Sequence, residues 1–241
     1  MTAWNSSWVS EAGTVVFGES LPLARRYAEL LAEQGVDRGV IGPREVDRLW
    51  ERHLLNSAVL AELLPRQARV LDVGSGAGLP GIPLAIARPD LSVVLLEPMA
   101  RRVEWLREVV TELELTAEVV RGRAEEEPVR EQWGEQDVVT ARAVAPLGRL
   151  ASWCLPLVRP GGQLLALKGA SAAEELDRDA AEVVSAGGVE QRVVSCGDGV
   201  LEVPTTVVEV QRTSEPRGEA GSRKKAAARR RGGTRRTRKD R

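Results

Sequence analysis

Four glycines fall within eight positions of the stretch DVGSGAGLPG, residues 72–81, directly behind the apolar run RVLDV and ahead of IPLAIA. A strand that turns through glycines into a helix start lets a ligand approach the backbone closely and aims N–H groups at it. The dinucleotide fingerprint GxGxxG can be laid on Gly76, Gly78 and Gly81, which would favour NAD. The strand, however, is expected to end at Val73. Counted from there the pattern is DxGxGxG, with Asp72 inside the strand end and Gly74 first in the turn. Glu97 closes the next apolar run, VVLLEP, where a carboxylate can accept hydrogen bonds from a ribose diol. Such an acid serves NAD and S-adenosyl-L-methionine alike, so these residues alone leave both open, beside a glycine turn made only for packing.

The ligand of an open α/β sheet sits outside the carboxyl ends of its strands. Those ends read Gly74, Glu97, RGRAEE (121–126), TARAVAP (140–146) and ALKG (166–169), with polar groups at each. Lys168 is the one lysine before residue 224 in a chain with thirty arginines. A lone lysine where arginine is the habit points to a site that needs a compact ammonium, since the two cations are not interchangeable at close contacts. Chance at a surface position is the plainer alternative. His53 is the single histidine, and either a site residue or a packing residue fits it. Cys154 and Cys196 form no CxxC pair, so neither zinc nor a disulfide framework is expected, and two reduced thiols in a cytoplasmic protein is the plain reading.

The elements that must position these residues alternate along the chain. Apolar runs at 69–73, 92–96, 117–121, 137–141, 162–167, 189–196 and 202–211 read as strands, and segments at 79–88, 100–114, 146–157 and 171–186 as helices between them. The order is βαβα, hence a parallel sheet, closed by a hairpin through CGDG. Ahead of the glycines, SLPLARRYAELLAEQG is helical to Gly35, and a second helix runs from Pro43 to just before Pro65. On that helix Arg44, Arg48 and Arg52 are spaced by four and would share one face beside Trp50, either meeting phosphates or pairing with Glu45 and Glu51. Trp105 and Trp153 fall inside helices and read as core.

A chain of 241 residues suffices for one α/β domain. It carries no run of apolar residues long enough to span a membrane and no signal-peptide pattern at the N-terminus. The net charge of −1 hides an asymmetry: after position 212 there are twelve basic and three acidic residues, leaving 22 basic and 32 acidic before it. A segment so basic and so free of apolar periodicity cannot build a core. The expected division is a flexible 1–16, a domain over 17–212 whose N-terminal helices occupy 17–65, and a disordered basic tail over 213–241.

LWERHLLNS (49–57), LDVGSGAGLPGIPLAI (71–86), RRVEWL (101–106), ARAVAPL (141–147) and LKG (167–169) together resemble the glucose-inhibited division protein B family, the ribosomal small-subunit methyltransferases G. The glycine block alone indicates a class I methyltransferase; the other elements make the resemblance family-specific, over about residues 17–211. One departure is Asn56, where the family often has Asp; an amide there can still cap or hydrogen-bond. The resemblance implies a class I, Rossmann-like fold with a seven-stranded, mostly parallel sheet, an antiparallel C-terminal hairpin and packed N-terminal helices. It also implies methyl transfer from S-adenosyl-L-methionine to N7 of a guanine in the 530 loop of 16S rRNA, with naked rRNA, an assembly intermediate and the 30S particle all open as the substrate. A cytoplasmic location follows from the plain reading of the thiols and the N-terminus, and a monomer is expected because nothing in the sequence suggests an obligate dimer.

Carried over by position, Gly74 and Leu79 would contact the cofactor within a turn that includes Gly76 and Gly78. Ala124 and Glu125 would flank the adenine, and Arg142 would complete the pocket. Glu97 would hold the ribose, and Asp72 would support the loop or reach the amino group through water. Arg142 and Lys168 would position the reactants. Arg44, Arg48, Arg52, His53, Arg101 and Arg102 are the candidate RNA contacts. Guanine N7 carries an in-plane lone pair and no proton, so its methylation needs alignment and neither a general base nor a metal. The ARAVAP stretch stands where methyltransferases acting on exocyclic nitrogens commonly carry an Asn/Asp-Pro-Pro-aromatic motif. The alternatives are a small-molecule methyltransferase on the same fold and an NAD-binding regulatory protein.

Overall fold

A computed structural model describes residues 7–214. The basic tail expected beyond residue 212 lies, but for its first two residues, outside the described residues. The first element, α1 (Ser7–Phe17), occupies part of the segment expected to be flexible, and it is anchored through Ala12 and Phe17. Then comes α2 (Leu21–Gln34), which buries Ala24, Tyr27, Ala28, Leu30 and Leu31 at the expected three- and four-residue spacing and ends at Gly35.

The second expected helix is not one helix. Pro43–Arg48 is a 3-10 segment, Leu49–Leu55 a π-helical turn, α3 (Asn56–Ala58) a single α-turn, and Val59–Leu63 again 3-10. Apolar residues at helical spacing are present, and Leu49, Trp50, Leu54 and Leu55 are buried. At the π-helical turn the Arg142 guanidinium docks from elsewhere onto the carbonyls of Arg52 and His53, a kind of contact that accompanies widened helical turns.

From Arg69 the alternation holds. The strands are β1 (Arg69–Val73), β2 (Ser92–Glu97), β3 (Glu118–Arg121), β4 (Gln136–Arg142), β5 (Val158–Lys168), β6 (Gly188–Cys196) and β7 (Thr205–Arg212). The helices between them are α4 (Gly81–Ala87), α5 (Ala100–Glu112), α6 (Glu127–Trp133), α7 (Leu147–Cys154) and α8 (Ala172–Ser185). Short α6, begun by Pro128, was not expected; Val129 is its one buried residue, too little to give a periodic pattern. The sheet has seven strands in the order β3-β2-β1-β4-β5-β7-β6. Pairing is parallel from β3 through β5, and β7 runs antiparallel to both β5 and β6.

Side chains alternate between two cores. Val70, Val93, Leu95 and Val138 face the helices α1, α2, α4 and α5, while Leu71, Val94, Leu96 and Val139 face α6, α7 and α8. The order reverses between β1 and β4, so their carboxyl ends, aligned by the Val73–Ala141 register, open a crevice. Among the described residues no helix is long and apolar enough to cross a membrane.

Candidate active site

The turn after β1 is fixed largely by its own backbone. Gly74 has φ +72° and Gly76 φ +58°, left-handed values that favour glycine. A Cβ on Gly74 would also lie 2.8 Å from Val144, whereas one on Gly76 would meet nothing closer than 3.7 Å. The amides of Gly74 and Ser75 donate to the Leu96 carbonyl, and those of Gly78 and Leu79 to the Ser75 carbonyl. Gly76 N–H donates to Glu97 and Gly81 N–H to Asp72. The turn therefore uses these amides internally, where the glycine pattern had been expected to aim them at a ligand. Two side chains clamp it from behind: the Tyr27 hydroxyl and Trp105 Nε1 both donate to the Ala77 carbonyl, at 3.0 and 2.8 Å.

Asp72 lies fully buried beneath the turn. Its Oδ2 accepts from Gly81 N–H, the first amide of α4, at 3.0 Å, while Oδ1 has no hydrogen-bond partner among the described residues. Burial raises its pKa to about 7, against the opposing pull of the Gly81 amide. Glycine is required at 81 for the close approach of α4, since a Cβ would come within 2.8 Å of Asp72 Oδ2 and overlap Leu95.

Above the turn lies a cleft of about 580 Å³, lined on the sheet side by Gly74, Gly76, Leu79, Glu97 and Arg142. A second lobe of about 230 Å³ contains Ala124 and Glu125, and Gly74, Pro98 and Val144 line both. Glu97, 1% exposed, accepts from Gly76 N–H through Oε2 and from Met99 N–H through Oε1. Arg102 Nη1 stands 3.9 Å from its Oε2.

Trp153 lines the second lobe, not only the core. The buried face of α7 is Leu147, Leu150, Ala151 and Cys154. A large indole off that stripe was the available signal.

Arg142 closes the far wall. Its Nη1 donates to Ser57 Oγ at 2.9 Å and to the His53 carbonyl at 3.4 Å; its Nη2 reaches the Arg52 carbonyl at 2.8 Å and His53 Nδ1 at 3.0 Å. His53 Nε2 meets Glu45 Oε2 at 2.7 Å, and Glu45 Oε1 stands 3.6 Å from Arg52 Nη1. His53, Glu45 and Arg52 all line the cleft mouth. Residue Ala143 follows at φ +53°, an uncommon conformation for a residue with a Cβ and one that concentrates at functional sites.

Lys168 does not line the cleft. Its Nζ donates to the Ala145 carbonyl at 2.9 Å and pairs with Glu175 Oε1 at 3.0 Å. Glu175 in turn accepts from Leu147 N–H and Asp179 from Gly148 N–H, so two carboxylates one turn apart on α8 cap the N-terminus of α7. This clamp fixes the 143–146 loop whose Ala143 and Val144 line the cleft.

Among the candidate RNA contacts, Arg44, Arg48, Arg52 and Arg101 are exposed and Arg102 half-buried. Of these, Arg52 and Arg102 line the cleft. The three arginines expected along one helix face are instead divided between the 3-10 segment and the π-turn. Trp50, 4% exposed, packs edge-on against Phe17 and offers no stacking face.

Comparison with known proteins agrees with this geometry. The family model described as GidB, rRNA small subunit methyltransferase G, matches residues 20–203. A protein of Mycolicibacterium paratuberculosis named ribosomal RNA small subunit methyltransferase G is 55% identical over 219 residues, 91% of this chain and 88% of that one. Its namesake in Mycobacterium marinum is 57% identical over 210 residues, 87% and 92% of the two chains. Among solved structures, fibrillarin of Aeropyrum pernix in complex with S-adenosyl-L-methionine superposes with a TM-score of 0.50 at 21% identity, over 66% of this chain and 74% of that one. That likeness is one of fold.

Proposed function

The chain belongs to the rRNA small subunit methyltransferase G family, and from that membership we propose that it transfers a methyl group from S-adenosyl-L-methionine to N7 of a guanine in the 530 loop of 16S rRNA. Its residues fit the cofactor. Glu97 lines the cleft with carboxylate lone pairs to spare for a ribose diol, and Asp72, beneath the turn, supports it through the Gly81 amide. The apolar lobe of Ala124, Val144 and Trp153 suits a flat base. When bound, the cofactor supplies an electrophilic methyl on a sulfonium sulfur.

One observation carries the choice of acceptor atom. Among the described residues, the groups lining the two lobes that could take a proton are Glu45, His53, Glu97 and Glu125, and each has a partner: Glu97 two amides, Glu45 His53, His53 Arg142, and Glu125 the Arg123 guanidinium at 3.8 Å. An acceptor that must lose a proton finds no unpartnered base among the described residues of the cleft, whereas guanine N7 attacks with a lone pair it already holds. The protein's part is then to align the reactants, a contribution worth up to ~7–11 kcal/mol. Arg142 and Lys168 would act by holding the wall and the 143–146 loop.

Arg101 and Arg102 open α5, whose first turn holds no acidic residue. Cations there oppose the helix dipole at roughly 0.3–1 kcal/mol each, which fits a pair kept for phosphate. With Arg52, and with Arg44 and Arg48 on the adjoining segment, they give a basic rim to an otherwise acidic body. We further propose that it acts as a monomer in the cytoplasm, on the 30S subunit or its rRNA.

The test is methyl transfer from labelled S-adenosyl-L-methionine to unmethylated 30S subunits, to naked 16S rRNA and to an RNA-free extract of small molecules. Label in the rRNA supports the proposal. Label only in the extract would indicate a small-molecule enzyme, and binding of NAD without transfer a regulatory protein.

A further inference from the structure

His53 was expected as an RNA contact, but both of its ring nitrogens are occupied inside the protein. We propose that His53 is a positioning residue: as the neutral tautomer protonated on Nε2 and anchored by Glu45, it holds the Arg142 guanidinium in one orientation and so sets the wall against which the acceptor base docks. The proposal rests on the methyl-transfer reading above for its kinetic part only.

Arginine can only donate, so the 3.0 Å contact between Arg142 Nη2 and His53 Nδ1 requires a lone pair on Nδ1. The proton of the neutral ring then sits on Nε2, where Glu45 Oε2 accepts it at 2.7 Å. The other tautomer would set two donors face to face at Nδ1 and two acceptors at Nε2. The ring has little room to choose otherwise, since its side chain is 12% exposed. The two carbonyls of the π-turn and Ser57 Oγ take further Arg142 donors, so His53 supplies the one nitrogen acceptor in the cradle.

The charged groups facing His53 are Arg142 from the end of β4, Glu45 from the 3-10 segment and Arg52 from its own turn. Burial and Arg142 press its pKa below the ordinary 6.5, and Glu45 opposes them. A proton forced onto Nδ1 at acid pH would break the contact with Arg142 and bring two cations together, releasing the wall.

His53 is the only histidine of the chain, so untagged full-length protein labelled with ¹⁵N-histidine gives one pair of ring-nitrogen signals. We expect Nε2 protonated and Nδ1 bare at neutral pH; the reverse, or an even mixture, would overturn the assignment whether or not the chain methylates rRNA. In the transfer assay on 30S subunits, kcat should fall on the acid side with a midpoint below 6.5. His53→Ala should lose roughly 10²-fold in kcat at neutral pH with cofactor affinity nearly unchanged. His53→Asn sets an amide oxygen near the place of Nδ1 and cannot titrate, so it should recover much of that loss and lack the acid limb. Glu45→Gln keeps the hydrogen bond without the charge and should move the limb to lower pH. An acid limb that persists in His53→Asn, or equal loss in both His53 variants, would contradict the positioning role.

Discussion

At residues 74–81 the shape of the chain is set by glycines, with its backbone bonded to Ser75 within the turn and to Leu96, Glu97, Asp72, Tyr27 and Trp105 around it, whereas at residues 43–57, across the same cleft, it is held chiefly by one side chain arriving from elsewhere, Arg142. The glycine turn needs left-handed φ at Gly74 and Gly76 and close approach at Gly81, requirements met by residue type. The mouth needs Arg142, 85 residues beyond Ser57, together with Glu45 and His53. A site shaped by glycines fails where an added Cβ meets a neighbour, as at Gly74 and Gly81. One made from side chains fails by losing partners, and fails by degrees.

The largest effect should therefore come from the turn. Gly74→Val combines a positive φ with a clash against Val144, and calorimetry should detect no binding of S-adenosyl-L-methionine. Gly76→Ala, with the same kind of φ but open space beside it, should suffer only about 1–2 kcal/mol of strain and at most roughly thirtyfold weaker binding. Equal effects of the two would mean that space around the turn is irrelevant.

The mouth should break next. Arg142→Ala is expected to lower kcat roughly 10²-fold, as misplacement by about 1 Å does, and to lower the melting temperature as well, since the carbonyls of Arg52 and His53 lose their donor. Lys168→Ala should cost less, through a loosened 143–146 loop. Lys168→Arg should also be impaired, because the larger head does not fit between the Ala145 carbonyl and Glu175. Full activity in Lys168→Arg would remove that residue from the account.

Asp72 gives a smaller, pH-dependent effect. Its pKa stands near 7 in the folded protein and at the ordinary 3.8 unfolded. Between these values the folded state holds a proton that the unfolded state lacks, so this stability is full at low pH and lost as pH rises through 7. From about pH 6 to about pH 8, the wild-type melting temperature should drop more than that of Asp72→Asn, by roughly 2–4 °C per kcal/mol. Parallel curves would show that the carboxyl is ionised throughout.

The smallest effect concerns neither region. Deleting residues 215–241 keeps the hydrogen bond from Thr213 N–H to Gly187 and should leave cofactor binding intact. We expect weaker association with 30S particles and a shallower salt dependence, as fewer phosphates are neutralised. Superimposable binding curves at two salt concentrations would leave the tail without a role in capture.

The same contrast explains what could be read from the sequence. The strands from Arg69 onward and the glycine turn follow from period and residue type, so their bounds lie near the predicted ones; β1 matches at Arg69–Val73. The 43–63 segment carries equally good helical spacing, yet its π-helical turn takes up a guanidinium from β4, and no local pattern encodes a partner so distant. Lys168 was noticed for its rarity, but its place behind the loop depends on Glu175 of α8. Asp72 and Glu97 are legible as acids at strand ends and share one face of the sheet; that one lies beneath the turn and the other in the cleft follows from Glu97 standing two residues beyond Leu95, the partner of Asp72.

The most direct measurement of the central claim is the atom that receives the methyl group. After reaction with unmethylated 30S subunits, borohydride and aniline treatment cleaves rRNA selectively at N7-methylguanine, and primer extension locates the break. The account predicts a single enzyme-dependent cleavage in the 530 loop of 16S rRNA, absent with Gly74→Val. Methyl label in the rRNA without any such cleavage, as an exocyclic nitrogen or a ribose oxygen would give, would contradict it.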